Sequence, residues 1–227
     1  MSKKNTFVAI GDIHFPFHNP SALAETIDFI DSYKPKNIIL LGDIVDCYAL
    51  SRFDKEPSRI LSLQKEFDLA TDFICKLKEI CPKSKIIYIE GNHERRLQKY
   101  LDSHPEISSL RSLNIPLLLN LDELDVPYVK SFTLGDMYFY HGEIVRKYSG
   151  QSARGELDKT DMSGISGHTH RLSHYFRTTT HRSLQWLEAG CLCILDPIYI
   201  QTKPDWQNGF IYGYEDNGNT YPVIYKI

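Results

Sequence analysis

Five short motifs in this chain carry the residue types that bind metal ions: Asp12-x-His14, Gly42-Asp43-x-x-Asp46, Gly91-Asn92-His93-Glu94, His141-Gly142 and Gly167-His168-x-His170. From them come two carboxylates (Asp12, Asp43), one amide (Asn92) and four imidazoles (His14, His141, His168, His170). Hard oxygen donors mixed with imidazole suit divalent ions such as Mn, Fe, Zn, Ni or Co. Seven such groups exceed what one four-coordinate ion with an open position takes. They match two ions that share a bridging carboxylate, and a pair of ions roughly 3.5–4 Å apart is the usual apparatus for attack on phosphorus. A lone Asp-x-His or Gly-His carries little information. Five motifs in order, each after an apolar run, carry much more.

Those apolar runs are the elements that must position the motifs. Residues 7–10, 37–41 and 85–90 read as buried strands that end at Gly11-Asp12, Gly42-Asp43 and Gly91-Asn92. In α/β sheets, functional groups gather at the carboxyl ends of such strands. Residues 20–33 read as a helix with Asn19 as N-cap and Pro20 in its first turn. Residues 58–81 carry Ile60, Leu63, Phe67, Ala70, Ile74 and Leu77 at alternating three- and four-residue spacing, one helical face. That face suits a core-facing helix over the sheet better than a dimer seam, for which the run is short. Helical pieces are expected after His93 to about Ser103 and again after Pro105, while 115–120 and 126–130 fit no clear element. The second half turns β-rich, with strands expected at 137–140, 162–166, 184–189 and 191–195. A closing hairpin is expected from 210–214 and 221–226 around Asn217-Gly218. Short strands alternating with helices, followed by antiparallel strands, predict two facing sheets with helices outside. With no repeat, low-complexity tract or linker, residues 1–227 read as one domain.

Composition bounds the rest. Hydrophobic residues make up 42% of the 227 residues and the net charge is −3, so a substantial core is possible and no overall basic excess points to nucleic acid. The longest apolar runs, 38–41 and 115–119, are far too short to span a bilayer, and no apolar segment follows Lys3-Lys4 as a secretion signal requires. The cysteines (Cys47, Cys75, Cys81, Cys191, Cys193) are odd in number, which fits reduced thiols of a cytoplasmic protein. Cys191 and Cys193 should share a strand face, but no second Cys or His pair at zinc-finger spacing accompanies them. The oligomeric state is not legible.

The ordered pattern D-x-H, G-D, G-N-H-[ED], H, G-H-x-H resembles the calcineurin-like metallophosphoesterase superfamily, over about residues 7–170. The resemblance implies a four-layer α/β/β/α sandwich with a two-metal site at one edge, Mn being the favoured metal. It implies Asp12, His14 and His170 on the first ion, Asp43 bridging, and Asn92, His141 and His168 on the second. His93 would not be a ligand; it would protonate or stabilise the leaving oxygen. Asp46 stands where phosphoprotein phosphatases carry an aspartate paired with that histidine, a pairing expected to fix its tautomer and raise its pKa. Glu94 is expected to stabilise the start of the following helix.

Two departures steer the substrate expectation. Cys47 stands where the phosphatases carry a phosphate-binding arginine, and Gly167-His168-Thr169-His170 is similar to the branch with cyclic-nucleotide phosphodiesterases and DNA-repair nucleases. Arg52, Arg95, Arg96, Arg146, Lys147, Arg154 and Arg171 flank the motifs, with Arg146 and Arg171, beside Asn92, expected to contact substrate. Tyr48, Phe53, Tyr148, Tyr175 and Trp206 are candidates for stacking on a base, although ordinary packing suits Trp206 better. The expectation is a two-metal phosphodiesterase acting on a nucleotide or nucleic acid, with hydroxide attacking phosphorus in line. A phosphomonoesterase is the enzymatic alternative, and a silent scaffold the non-enzymatic one.

Overall fold

The computed structural model of the chain describes residues 4–52, 62–196 and 204–227. Phe53, Ser58 and Ile60, which figure in the expectations above, lie outside the described residues. The elements run β1 (Asn5–Ile10), α1 (Pro20–Tyr33), β2 (Asn37–Leu40), a 3₁₀ turn (Tyr48–Leu50), α2 (Leu63–Ile80), β3 (Lys85–Ile89), α3 (Arg95–Asp102), α4 (Pro105–Ser108) and α5 (Ile115–Leu118). They continue with β4 (Tyr128–Val129), β5 (Ser131–Leu134), β6 (Met137–Tyr140), α6 (Gln151–Thr160), β7 (Ser163–Ser166), β8 (Leu172–Thr178), β9 (Ser183–Ala189), β10 (Gly209–Asp216) and β11 (Asn219–Lys226).

Strand pairing builds two mixed sheets, ordered β11-β10-β1-β2-β3-β4 and β5-β6-β7-β9-β8. β1, β2, β3 and β4 run parallel, as do β6, β7 and β9. Side chains alternate across a strand, and both faces of β1 to β3 are apolar. Phe7, Ala9, Ile39, Leu41, Ile87 and Ile89 meet Met137, Phe139, Ile165 and Leu187 of the second sheet. Val8, Ile10, Ile38, Leu40, Ile86 and Tyr88 turn the other way, onto α1 and α2. Behind the second sheet, Trp186 and Tyr140 pack on Ala153 and Leu157 of α6. The layers are therefore helix, sheet, sheet, helix.

Local signals explain most element ends. The Asn19 side chain accepts from the amides of Ser21 and Ala22 at 3.1 and 3.3 Å and caps α1. The stripe of α2 is core-facing: Phe67, Ala70, Phe73, Ile74 and Leu77 are buried. Asn114 caps α5, accepting from Leu117 N at 3.0 Å, in the stretch the sequence left unassigned. The strand expected at 191–195 is replaced by isolated bridges, His18 with Cys193 and Cys191 with Asn208. Gly190, at φ +72°, turns the chain out of β9 before a ladder can continue. No helix among the described residues is long and apolar enough to cross a membrane.

Candidate metal centre

The parallel strands β1, β2, β3, β6 and β7 each run into one of the five motifs, and the loops are laced together. Asp12 N donates to Gly42 O (3.0 Å), His14 N to Asp43 O (3.0 Å), Phe15 N to Ile44 O (2.8 Å) and Asp46 N to Phe15 O (3.0 Å). Two glycines permit the closeness: a Cβ on Gly91 would stand 2.2 Å from Asp43 Oδ1, and one on Gly167 2.3 Å from Asp12 Oδ2. Asp12, His14, Asp43, His168 and His170 all have φ between 51° and 69°. Non-glycine residues held there cost about 1–3 kcal/mol each and persist where the surroundings over-determine them.

Six of the seven ligand-type residues converge in two groups, Asp12, His14 and His170 in one and Asp43, His141 and His168 in the other, and Asn92 adjoins the second. In the first, His170 Nε2 lies 3.1 Å from both Asp12 Oδ1 and His14 Nε2. In the second, His141 Nε2 lies 3.3 Å from Asp43 Oδ2, 3.2 Å from His168 Nδ1 and 2.9 Å from Asn92 Oδ1. Between them, Asp43 Oδ2 is also 3.9 Å from His14 Nε2. The main chain sets these orientations. His168 N donates to Asp12 Oδ2 (2.9 Å), and His93 N donates to Asp43 Oδ1 (2.9 Å), which leaves Oδ2 turned to the histidines.

These residues fit divalent cations. His141 Nδ1 must donate to Leu41 O at 2.9 Å, because a carbonyl only accepts. A neutral His141 therefore turns a bare Nε2 lone pair toward an amide oxygen and a carboxylate, which repel it unless a positive charge lies between them. Donor separations of 2.9–3.3 Å are near the edge length of about 3.0–3.4 Å expected for ligands about 2.1 Å from one ion. Burial by itself would push His141 down, but the Asp43 carboxylate beside it holds it up at about 9, so without metal a proton on Nε2 supplies the positive charge in the place an ion would take. Burial likewise opposes ionisation of Asp12 and Asp43, yet the facing imidazoles keep both well below the usual carboxylate range.

Three expectations change at the rim of the site. His93 Nδ1 donates to the main-chain oxygen of Asp46 at 2.9 Å, so a carbonyl fixes its tautomer, while the Asp46 carboxylate stands 3.6 Å away and closer, 3.2 Å, to His14 Nδ1. Its pKa is pushed down to about 4, not up, because burial outweighs the pull of Asp43 and Asp46 and because His14 and Arg96 add positive charge. Glu94 does not serve the helix start. Its buried carboxylate accepts from Asp43 N, Ile44 N and Gly91 N, each at 2.9 Å, and from Tyr88 Oη at 2.7 Å. Trp206 packs edge-on against His170, ring centres 4.3 Å apart, and so braces the site.

For other residues named in the sequence, the structure supplies partners that the sequence did not show. Cys193 Sγ lies 3.7 Å from His170 Nδ1 and forms, with Cys191, a third cluster of donor atoms; the missing histidine partner comes from a distant motif. The usable signal was position, since both cysteines follow parallel strand β9 just as the motifs follow theirs. Arg96 donates from Nη1 to Asp46 O (2.8 Å) and Oδ1 (3.2 Å), and Nη2 meets His93 Nε2 at 2.9 Å. Arg171 is committed to Arg146 O (2.6 Å) and to Asp205, while Arg146 is exposed. Tyr48 packs edge-on to Phe17 at 5.9 Å, Tyr175 packs beside Trp186, and Tyr148 is exposed.

Glu66, on the apolar face of α2, is buried and accepts from Cys47 N at 2.6 Å. Burial and the nearby Asp46 raise its pKa to about 7. An acid raised in the folded state stabilises fully below its unfolded value, near 4.5, and loses that contribution as pH rises through about 7. In metal-free protein, Glu66→Gln is therefore expected to melt a few degrees higher than the parent at pH 8 and to match it near pH 5. Identical melting shifts at both pH values would contradict this account.

A sequence profile described as calcineurin-like phosphoesterase matches residues 6–189. The chain belongs to that family, and is a metal-dependent hydrolase of phosphoester bonds. It is 26% identical to the Gene 54 protein of Mycobacterium phage D29, over 92% of this chain and 88% of that protein. Among solved structures it is similar to an archaeal phosphodiesterase (15% identity, 97% and 99% of the two chains, TM-score 0.48). A second is vacuolar protein sorting 29 from Cryptosporidium parvum (15% identity, 99% and 98%, TM-score 0.46).

Proposed function

We propose that the chain hydrolyses phosphodiester bonds in a nucleotide or nucleic acid, using two divalent ions of which Mn is favoured, with Fe, Zn, Ni and Co as alternatives. One observation supports the two-ion reading above all: the donors form two groups of three with the Asp43 carboxylate turned toward both. Asp12, His14 and His170 would hold one ion and Asn92, His141 and His168 the other. Bound there, the ions would activate water and neutralise the phosphoryl oxygens.

The protein's own residues supply the rest. Asn92 and the exposed Arg146 are the side chains we assign to substrate oxygens, with Arg171 holding the 146 main chain. Assistance to the leaving oxygen is assigned to His93 Nε2, 3.7 Å from Asp43 Oδ2. With a pKa of about 4 that nitrogen is bare at neutral pH, so the proton it would give the leaving oxygen is one it first takes from the attacking water. Taking it obliges Arg96 to leave its 2.9 Å contact, which releases a guanidinium toward the developing negative charge.

The same arginine favours a second reading. A phosphomonoester dianion gains more from a nearby cation than a diester does, and Arg96 supplies near the site the charge that Cys47 lacks. The deciding experiment strips the protein with chelator, titrates Mn and compares aryl esters. Saturation near two equivalents and a several-fold higher kcat/KM for a bis-aryl than a mono-aryl phosphate are expected. Saturation at one equivalent defeats the binuclear site; a mono-aryl preference selects the phosphomonoesterase.

A further inference from the structure

Beside Asn92 a cavity of about 510 Å³ opens between α3 and the segment that follows the 3₁₀ turn. Arg96, Lys99, Tyr100 and Ser103 line one wall, and Leu50, Ser51 and Arg52 the other. Positions 96, 99, 100 and 103 fall at helical spacing, so α3 turns one face to the cavity along its length. Among the described residues its lining holds three cations, Arg52, Arg96 and Lys99, and no acid. Lys99 makes no ion pair with any described residue. Tyr100 is 37% exposed, with one ring face stacked on His104 at 4.0 Å.

Arg96 joins this cavity to the metal centre. Its guanidinium reaches Asp46 and His93 at one end, while its side chain lines the cavity at the other. His93 is the residue assigned to the departing oxygen, so the cavity lies on the leaving-group side of the scissile bond. A hydrophobic pocket would suit an aryl or lipid leaving group. A wall of cations with an aromatic rim suits a leaving group that bears its own phosphate and a base.

We propose that this cavity is a leaving-group subsite for a nucleotide carrying a second phosphate, with Arg52 and Lys99 binding that phosphate and Tyr100 offering a face to the base. The proposal rests on the phosphodiesterase reading above and names the substrate feature that reading leaves open. It is a specificity device: the small aryl diesters that report the chemistry leave the cavity empty.

The test uses the Mn-loaded protein and three dinucleotides: thymidylyl-thymidine, the same with a 3′-phosphate, and the same with a 5′-phosphate. Wild type is expected to favour one of the phosphorylated forms by about ten-fold in kcat/KM. Lys99→Gln, and Arg52→Gln separately, should reduce that preference to about two-fold or less. Equal kcat/KM on all three substrates overturns the subsite while leaving the phosphodiesterase reading intact. Turnover of none of them removes that reading, and binding then decides the subsite. Calorimetry should find thymidine 3′,5′-bisphosphate several-fold tighter than thymidine 5′-monophosphate, a difference the two variants should abolish. Equal affinities for the two ligands would overturn the subsite by that route as well.

Discussion

Replacing His93 by alanine or asparagine is expected to leave the metal content unchanged and to lower kcat by about 10²–10⁴-fold, the usual range for a positioned acid. The geometry does offer the opposite outcome, because His93 forms a donor cluster with His14 and Asp43. Two contacts argue against ligation. Its Nδ1 is occupied by Asp46 O, and its Nε2 is already engaged by the Arg96 guanidinium at 2.9 Å. Asp46→Asn should lose less activity than either His93 variant, since the His93 tautomer depends on the Asp46 main chain. It should still perturb His14 and Arg96, both 3.2 Å from the carboxylate. The measurement is metal stoichiometry beside kcat on a bis-aryl phosphate. Loss of an equivalent of metal from His93→Ala would make His93 a ligand and move the leaving-group role elsewhere.

What could be read from the sequence was what local chemistry encodes. Helix α1 was legible because Asn19 and Pro20 each have one good use at a helix start. The ligand-type residues were legible because their motifs follow apolar runs long enough to be strands. By contrast α6 offers only Ala153 and Leu157 as buried apolar residues, too short a stripe to show a period. β8 alternates half-buried and exposed residues along an edge of its sheet, with no apolar repeat to mark it. Segment 191–195 misled in the other direction, since its alternation is real but Gly190 denies it a ladder. Within the site, donor types were visible, but their conformations and partners were not. Nothing in a one-dimensional pattern tells that Asp12 and His170 sit in the left-handed region, or that Cys193 lies behind His170.

The buried glutamates were the least legible, because an acid in a sequence reads as solvent-facing. Here each serves a loop. Glu66 takes Cys47 N, Glu156 takes Glu143 N and Ile144 N, Glu188 takes Gly150 N, and Glu94 takes the amides that open two metal motifs. Loops that fold inward to present ligands forgo sheet and helix partners for their own N–H groups, and a buried donor without a partner costs about 1–3 kcal/mol. A carboxylate can satisfy several at once, which is why these positions are acidic despite burial.

The consequence is largest at Glu94. Glu94→Ala would strand Asp43 N, Ile44 N and Gly91 N together with the Tyr88 hydroxyl. Even with partial rescue by water, a loss of about 4 kcal/mol or more is expected, a large share of the ~5–15 kcal/mol that holds a domain together. The melting temperature should fall by about 8–16 °C, or the protein should fail to accumulate. Glu94→Gln tests the same contacts with less damage. One oxygen remains to accept, while the new amide presents donors to main-chain donors, so an intermediate fall and weakened metal binding through Asp43 are expected. A carboxylate that merely opened helix α3 would be worth about 0.3–1 kcal/mol. Thermal denaturation of both variants without metal therefore separates the accounts: shifts of only two or three degrees would return Glu94 to the helix start and leave the Asp43 loop without an explanation for its shape.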